Sequence, residues 1–472
     1  MTLQSVNPAT GDTIETFQPF TRAQIDDALE RAALAQRSWR RAPFSQRAEG
    51  LRAVGAYLRE HKAELARTAT LEMGKPITEA EAELEKCAWT CDFYAEHAER
   101  FLADEPVASS ATASYVSFPP LGVVLAVMPW NFPYWQVFRF AAPALMAGNT
   151  AVLKHASNVS RVALEIARAF RECGLPDGAF QTLLVPGAEV EAIIGDARIA
   201  AVTLTGSDAA GVSVARAAGQ HLKKTVLELG GSDAFIVLAD ADLDAAAKTG
   251  VRSRFQNTGQ SCIAAKRFIV EDAVFEEYLE RFIHETKRLR VGDPLHPDTQ
   301  IGPMARADLR DALDQQVRRS VEMGARMALG GHAIEGRGAF YEPTVLSDVT
   351  AQMPVFREET FGPVAAMVRA RDVQHAVELA NDSQFGLGGN LWTRDIERAR
   401  SLAREIESGN VFINGMTASD PRLPFGGVKR SGYGRELSSF GIREFVNIQT
   451  VWIGPAANTG AATRGQDTPA SE

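Results

Sequence analysis

The apolar run 121–130 stops at Asn131-Phe132-Pro133, and the pattern after it constrains the fold more than any other feature of the chain. Ten apolar residues fall far short of the ~20 needed to span a bilayer, so the run reads as a buried strand. Pro133 can open a helix at its first position, where a missing N–H costs nothing. From here strand and helix patterns alternate. Strands are expected over 123–128 and 151–154, then a helix over 159–173 stopped by Gly174 and Pro176. A strand over 180–185, a helix over 188–194 and a strand over 201–205 follow, and Gly206-Ser207 opens a helix through Ala218.

Such alternation predicts an α/β fold, a parallel sheet with helices on both faces. Sheets of this kind take ligands at the carboxyl ends of strands, where Trp130, Lys154 and Gly206 all fall. A second alternating block follows Glu228, with strands expected over 234–238 and 267–270 and helices over 274–289 and 308–324. The first hundred residues are helical in pattern. Thr21 and Gln24 form a capping box ahead of Ile25, Ala28, Leu29 and Ala32, and helices are expected over 46–71 and 78–101. Cys87 and Cys91 share a face of the last of these and read as packing. Two α/β units in tandem, with chemistry where they meet, suit a two-substrate enzyme.

Composition narrows the choice of partner. The 50 Lys+Arg and 59 Asp+Glu leave a net charge of −9 with no long run of one sign, which argues against nucleic acid. Four cysteines in 472 residues are not a disulfide framework, so a reducing, cytoplasmic setting is expected. Met1-Thr2-Leu3-Gln4 lacks the basic start of a signal peptide, and no membrane partner is expected. Residues 455–472 read as a disordered tail. The eight histidines are scattered, so no metal site is expected.

Several residues carry chemistry by their context. Cys262 sits in the polar loop Gly259-Gln-Ser-Cys262, which suits a nucleophile as well as a buried structural thiol. Glu228 ends the apolar stretch Thr225-Val-Leu and precedes Gly230-Gly231. Burial there would raise its pKa towards that of a general base, unless backbone N–H groups satisfy it. Asn131 can donate a side-chain hydrogen bond into a cleft or simply form a turn. Lys154 closes the strand Ala151-Val-Leu, where a cation suits a nucleotide or solvent equally. No G-x-G-x-x-G follows a strand; Thr205-Gly206-Ser207-x-x-x-Gly211 instead joins strand to helix and offers free N–H groups to an anion.

Taken together these motifs resemble the aldehyde dehydrogenase superfamily from Asn7 to about Ile453. The matching segments are Pro129-Trp-Asn-Phe-Pro133, Lys154-His-Ala-Ser157, Thr205-Gly-Ser-x-x-x-Gly211, Glu228-Leu-Gly-Gly231, Gly259-Gln-Ser-Cys262, Glu358-Glu-Thr-Phe-Gly-Pro363 and Pro424-Phe-Gly-Gly-Val-Lys429. The resemblance implies that the Cys262 thiolate attacks an aldehyde, that Asn131 and the Cys262 N–H hold the oxyanion, and that Glu228 activates water against the thioester. It also implies that Lys154 contacts the adenosine ribose and Glu359 the nicotinamide ribose. Phe361 would pack nearby, Gly206 and Ser207 would meet the pyrophosphate, and Trp130 would lie close to it.

Where NAD-selective members usually carry Glu, this chain has Ser157, which removes repulsion of a 2′-phosphate; NADP is expected to be preferred, with NAD as the other option. The segment from Asn131 to Phe140 resembles the shorter succinate-semialdehyde dehydrogenases. By that likeness Arg139, one turn after Trp135, suits a substrate carboxylate, and Ser419 could help to hold it. An internal salt bridge is the other reading of Arg139. Phe138, Phe255 and Phe425 could equally build a tunnel for uncharged aldehydes. The likeness divides the chain into a Rossmann-type cofactor domain (1–110 and 125–228), a catalytic domain (229–425), and an oligomerisation arm with a C-terminal segment (111–124 and 426–454). An exposed arm of this sort implies a homodimer or homotetramer.

Overall fold

In the computed structural model, which describes residues 2–455, the 121–130 run becomes the strand Val123–Met128 near the centre of a six-stranded sheet. It pairs in parallel with Thr150–His155 on one side and with Ile199–Thr205 on the other. Phe180–Thr182 and Lys224–Glu228 extend the two flanks in parallel, and Gly432–Tyr433 closes one edge antiparallel. The chain therefore builds first to one side of Val123–Met128 and then to the other. That reversal leaves a crevice beyond the carboxyl ends of Val123–Met128 and Ile199–Thr205.

Alternation along the central strand divides its side chains between two cores. Val123 and Leu125 pack with Val152, Val202 and the helix residues Ile25 and Leu29. Val124 and Ala126 pack on the opposite face with Leu153 and the helix Trp135–Met146. The expected capping box is present, with Thr21 and Gln24 bonding each other's backbone N–H at the start of helix Arg22–Trp39.

A seven-stranded sheet forms the second unit, ordered Arg326–Leu329, Thr344–Ser347, Val364–Ala370, Ala265–Glu271, Asp233–Val237, Gly388–Trp392 and Asn410–Ile413. All its pairings are parallel except that of Arg326–Leu329. Only 229–232 separate the last residue of Lys224–Glu228 from the first of Asp233–Val237. The carboxyl edge of the first sheet thus meets the amino edge of the second. A third, antiparallel sheet joins Glu105–Pro106, Ala113–Ser117 and Gln449–Ile453.

Two expectations change. The helix expected over 46–71 is two helices, Phe44–Glu60 and Lys62–Met73, broken at His61, whose ring stacks on Tyr57 at 4.0 Å. The strand expected over 180–185 ends at Thr182, because Leu183–Val185 turn away towards the first helix, Leu184 O accepting from Phe20 N. Most of the tail expected over 455–472 lies outside the described residues. Among the described residues no helix is long and apolar enough to cross a membrane.

Candidate active site

Cys262 lies at the amino edge of the second sheet, three residues before the strand Ala265–Glu271. The backbone approaching it is unusual. Asn257 (φ 51°), Thr258 (φ 55°) and Gly259 (φ 72°) are consecutive left-handed residues, a conformation that costs non-glycine residues free energy and persists only when the surroundings fix it. Here they do. Arg254, fully buried, donates to Gly259 O (2.6 Å), Ala265 O (3.0 Å) and Gly362 O (2.9 Å), strapping the cysteine loop to the loop after Glu358. At Gly259 a Cβ would come within 2.3 Å of Gly362 O, so only glycine fits.

The loop's polar sequence suits a nucleophile as well as a buried structural thiol, and Cys262 is half-buried at a cavity. Gln260 and Ser261 are buried, and the Gln260 side chain is spent on Ala305 N (2.9 Å) and Asn257 O (3.3 Å). Burial pushes the Cys262 thiol up to about 12, with the charges of Arg139 and Lys266 pulling it back down.

Asn131 follows the central strand of the first sheet and is buried. Its Nδ2 donates to Gln260 O at 3.1 Å, and Asn257 Nδ2 donates to Asn131 O at 2.7 Å. One amide hydrogen thus ties Asn131 to the cysteine loop, and the other has no acceptor among the described residues. Among the described residues nothing accepts from the Cys262 N–H.

Glu228 is 2% exposed, and neither carboxylate oxygen has a hydrogen-bond partner, so backbone N–H groups do not satisfy it. Its carboxyl is raised well above the ordinary range by burial and then by the nearby carboxylate of Glu436, against which Arg139 and Arg435 act. A Cβ on Gly426 would approach Glu228 Oε1 to 2.7 Å, which explains the glycine.

The residues expected at a nucleotide gather at the crevice. Trp130 and Phe361 meet edge to face, ring centroids 5.7 Å apart. Gly206 follows Ile199–Thr205, and a Cβ there would meet Leu204 at 3.7 Å, an ordinary van der Waals contact, so no packing clash requires the glycine. Gly211 serves packing: its Cβ would strike Leu229 at 2.6 Å. Ser207 caps the helix Asp208–Gln220, its Oγ accepting from Ala210 N at 3.3 Å. Lys154 is part-buried with no carboxylate in salt-bridge reach among the described residues, and Ser157 is exposed. Glu359 accepts from Gly231 N at 2.9 Å. This helix start and unpaired lysine fit a dinucleotide.

A cavity of about 1280 Å³ reaches Cys262 and is lined by Trp135, Arg139, Ser419 and Phe425 among others. Arg139 and Trp135 share a face of Trp135–Met146, as their spacing implied. The guanidinium is not free, however. Arg139 forms a buried salt bridge with Glu436, lies 4.7 Å from the Phe425 ring centroid and donates to Thr205 Oγ1 at 3.3 Å. Phe138 is buried away from the cavity, stacked on Phe170.

Comparison with known proteins agrees with this geometry. The aldehyde dehydrogenase family model matches residues 1–451. The chain belongs to the aldehyde dehydrogenase family. Proteins of Mycobacterium avium and Mycobacterium tuberculosis named succinate-semialdehyde dehydrogenase [NADP(+)] are 52% identical to it; each alignment covers 96% of this chain, and 97% and 100% of theirs respectively. A succinic semialdehyde dehydrogenase from Streptococcus pyogenes, solved with NADP+, is 39% identical with TM-score 0.94, over 96% of this chain and all of that one.

Three site residues of this aldehyde dehydrogenase escaped the sequence reading. Lys266 is fully buried and donates to Cys262 O at 2.8 Å and Ser261 O at 3.0 Å. Glu436 is the partner of Arg139. Lys86 donates to Ser419 Oγ at 2.7 Å. The Gly-x-x-Cys-x-x-x-Lys266 spacing could have drawn attention to the first; the other two have no local signal.

Proposed function

We propose that this aldehyde dehydrogenase oxidises succinate semialdehyde to succinate, with NADP preferred over NAD. The observation that carries this reading is that Cys262, Arg139 and Ser419 line one cavity, so a nucleophilic sulfur and a cationic, hydrogen-bonding wall share a space. The names of the relatives support it.

The Cys262 thiol first gives its proton to solvent water, and attack of the resulting thiolate on the aldehyde carbon breaks the carbonyl π bond and leaves the negative charge on its oxygen. The remaining Asn131 N–H and the Cys262 N–H receive it, and Arg139 and Lys266 favour the thiolate as it forms. A nicotinamide held in the crevice supplies the hydride acceptor. Loss of hydride leaves Cys262 acylated as a thioester. Glu228, once ionised, takes a proton from water, and the resulting hydroxide displaces the cysteine.

Lys154 supplies charge near a 2′-phosphate, and Ser157 offers a hydroxyl where a carboxylate would repel it. The salt bridge between Arg139 and Glu436 favours a second reading, in which the guanidinium is structural and the aromatic wall of Phe132, Trp135 and Phe425 takes uncharged aldehydes. Rates of cofactor reduction with succinate semialdehyde and butyraldehyde, each with NADP and NAD, decide between them. Equal kcat/KM for the two aldehydes would sink the first reading, and a much higher kcat/KM with NAD would sink the cofactor reading.

The antiparallel arm leaves Trp452 and Ile453 exposed, so we also read it as pairing with another copy in a homodimer or homotetramer. Four free cysteines suit a reducing, cytoplasmic setting.

A further inference from the structure

Three charged groups around the inner end of the cavity are matched with partners. Arg139 is held by Glu436. Glu83 is held by Lys75 and also accepts from Tyr134 N and Trp135 N, both at 2.8 Å, at the start of helix Trp135–Met146. Asp420 is held by both nitrogens of Arg422 that reach it, at 2.9 and 2.6 Å. Lys86, on helix Ile77–Phe101, faces the cavity with its Nζ 2.7 Å from Ser419 Oγ and 4.2 Å from the Trp135 ring centroid. Among the described residues no carboxylate lies within salt-bridge distance of it.

We propose that Lys86 is the specificity-determining residue of this enzyme, its ammonium the countercharge for the distal carboxylate of an acidic aldehyde, with Ser419 as the adjoining hydrogen-bond donor. The reasoning is electrostatic. A buried ion is costly unless paired, and a ligand that completes the pair is favoured over one that cannot. Arg139 already has its carboxylate, so it adds field but little net charge, whereas Lys86 has only a hydroxyl and an aromatic face. An uncharged aldehyde would leave the ammonium as it is; a semialdehyde carboxylate would complete it. This deepens the succinate-semialdehyde reading and rests on it.

The groups facing Lys86 are Glu83 and Cys87 on its own helix, Trp135 and Arg139 on the next, and Ser419 and Asp420 from the loop. Burial, then the charge of Arg139, bring the ammonium down to about 8, so the countercharge fades in mildly alkaline solution.

The test measures kcat/KM for succinate semialdehyde and for butyraldehyde in the wild type, Lys86→Met, Lys86→Gln and Lys86→Arg. The ratio of the two values is expected to fall about tenfold or more in the first two variants, and to stay within about threefold of wild type in Lys86→Arg. In the wild type, KM for succinate semialdehyde should rise above pH 8 while that for butyraldehyde stays flat. An unchanged ratio in both Lys86→Met and Lys86→Gln, or equal losses on both aldehydes, overturns the assignment of Lys86. A wild type that does not prefer succinate semialdehyde overturns the functional reading itself, which keeps the two failures apart.

Discussion

Lys266 Nζ donates to the carbonyl oxygen of Cys262 at 2.8 Å and lies 3.7 Å from the carboxylate of Glu359. One buried ammonium therefore joins the nucleophile loop to the residue expected at the nicotinamide ribose. Its own pKa is lowered, by burial first, while Glu359 acts to keep it charged. Replacing it by Met leaves the Ser261 and Cys262 carbonyls and Glu359 without their cation. Breaking a buried pair in this way costs about 3–5 kcal/mol. Lys266→Met should lower the denaturant midpoint accordingly and reduce kcat together with cofactor affinity; an unchanged midpoint would show that the link carries no stability.

Asn131 has one amide hydrogen committed to Gln260 O and one with no acceptor among the described residues. Loss of an oxyanion donor typically costs ~10²–10³ in kcat. Asn131→Ala should fall in that range with the product still formed at a measurable rate. A loss below tenfold, seen by following reduced cofactor, would remove Asn131 from the oxyanion site.

Glu228 is neutral below its raised pKa and becomes a base only as pH climbs through it. Steady-state turnover should therefore rise with pH through an ionisation above the usual carboxylate range. In Glu228→Gln that rise should vanish and turnover should drop ~10²–10⁴, while a first-turnover burst of reduced cofactor persists in stopped-flow absorbance. Loss of the burst together with the steady state would show that Glu228 acts before the thioester.

On the proposed cofactor reading, a carboxylate at Ser157 would face the 2′-phosphate of NADP. Like-charge juxtaposition costs several kcal/mol, on the order of a hundredfold in affinity. Ser157→Glu should raise KM for NADP by at least tenfold with little change for NAD. A variant that keeps the wild-type preference would separate Ser157 from cofactor choice.

Glu72 is buried beside Ser5 and accepts from the backbone N–H groups of Arg161 and Val162, both at 3.0 Å. Burial brings it up to about 7, above its value of about 4.5 in the unfolded chain. A carboxyl raised on folding contributes stability that is full below the unfolded value and is lost as pH rises through the folded one. Melting of Glu72→Gln, which cannot ionise, should therefore improve relative to the wild type between pH 5 and pH 8. A pH-independent difference in Tm would contradict this.

Much of the fold was legible because it is local. The 121–130 run, the Thr21–Gln24 box and the alternation after Asn131 are each set by residues a few positions apart, and the structure contains them with boundaries shifted by a few residues. The helix break at His61 was missed because the apolar period continues through it. Motif order placed Cys262, Asn131 and Glu228 on one chain; the structure shows Asn131 tied to the Gln260 carbonyl beside Cys262, and Glu228 buried without a partner.

By itself, the sequence determined which residues could do chemistry and which segments are strands or helices, since residue type and short-range periodicity act over neighbouring positions. Tertiary structure decided how each charge is used. Arg139 meets Glu436, and Lys86 meets Ser419, across gaps of about three hundred residues that no spacing rule spans. Burial decided the rest: a cysteine in water ionises at about pH 8.5, and burial holds the Cys262 thiol higher, because ionisation responds to every group packed around it.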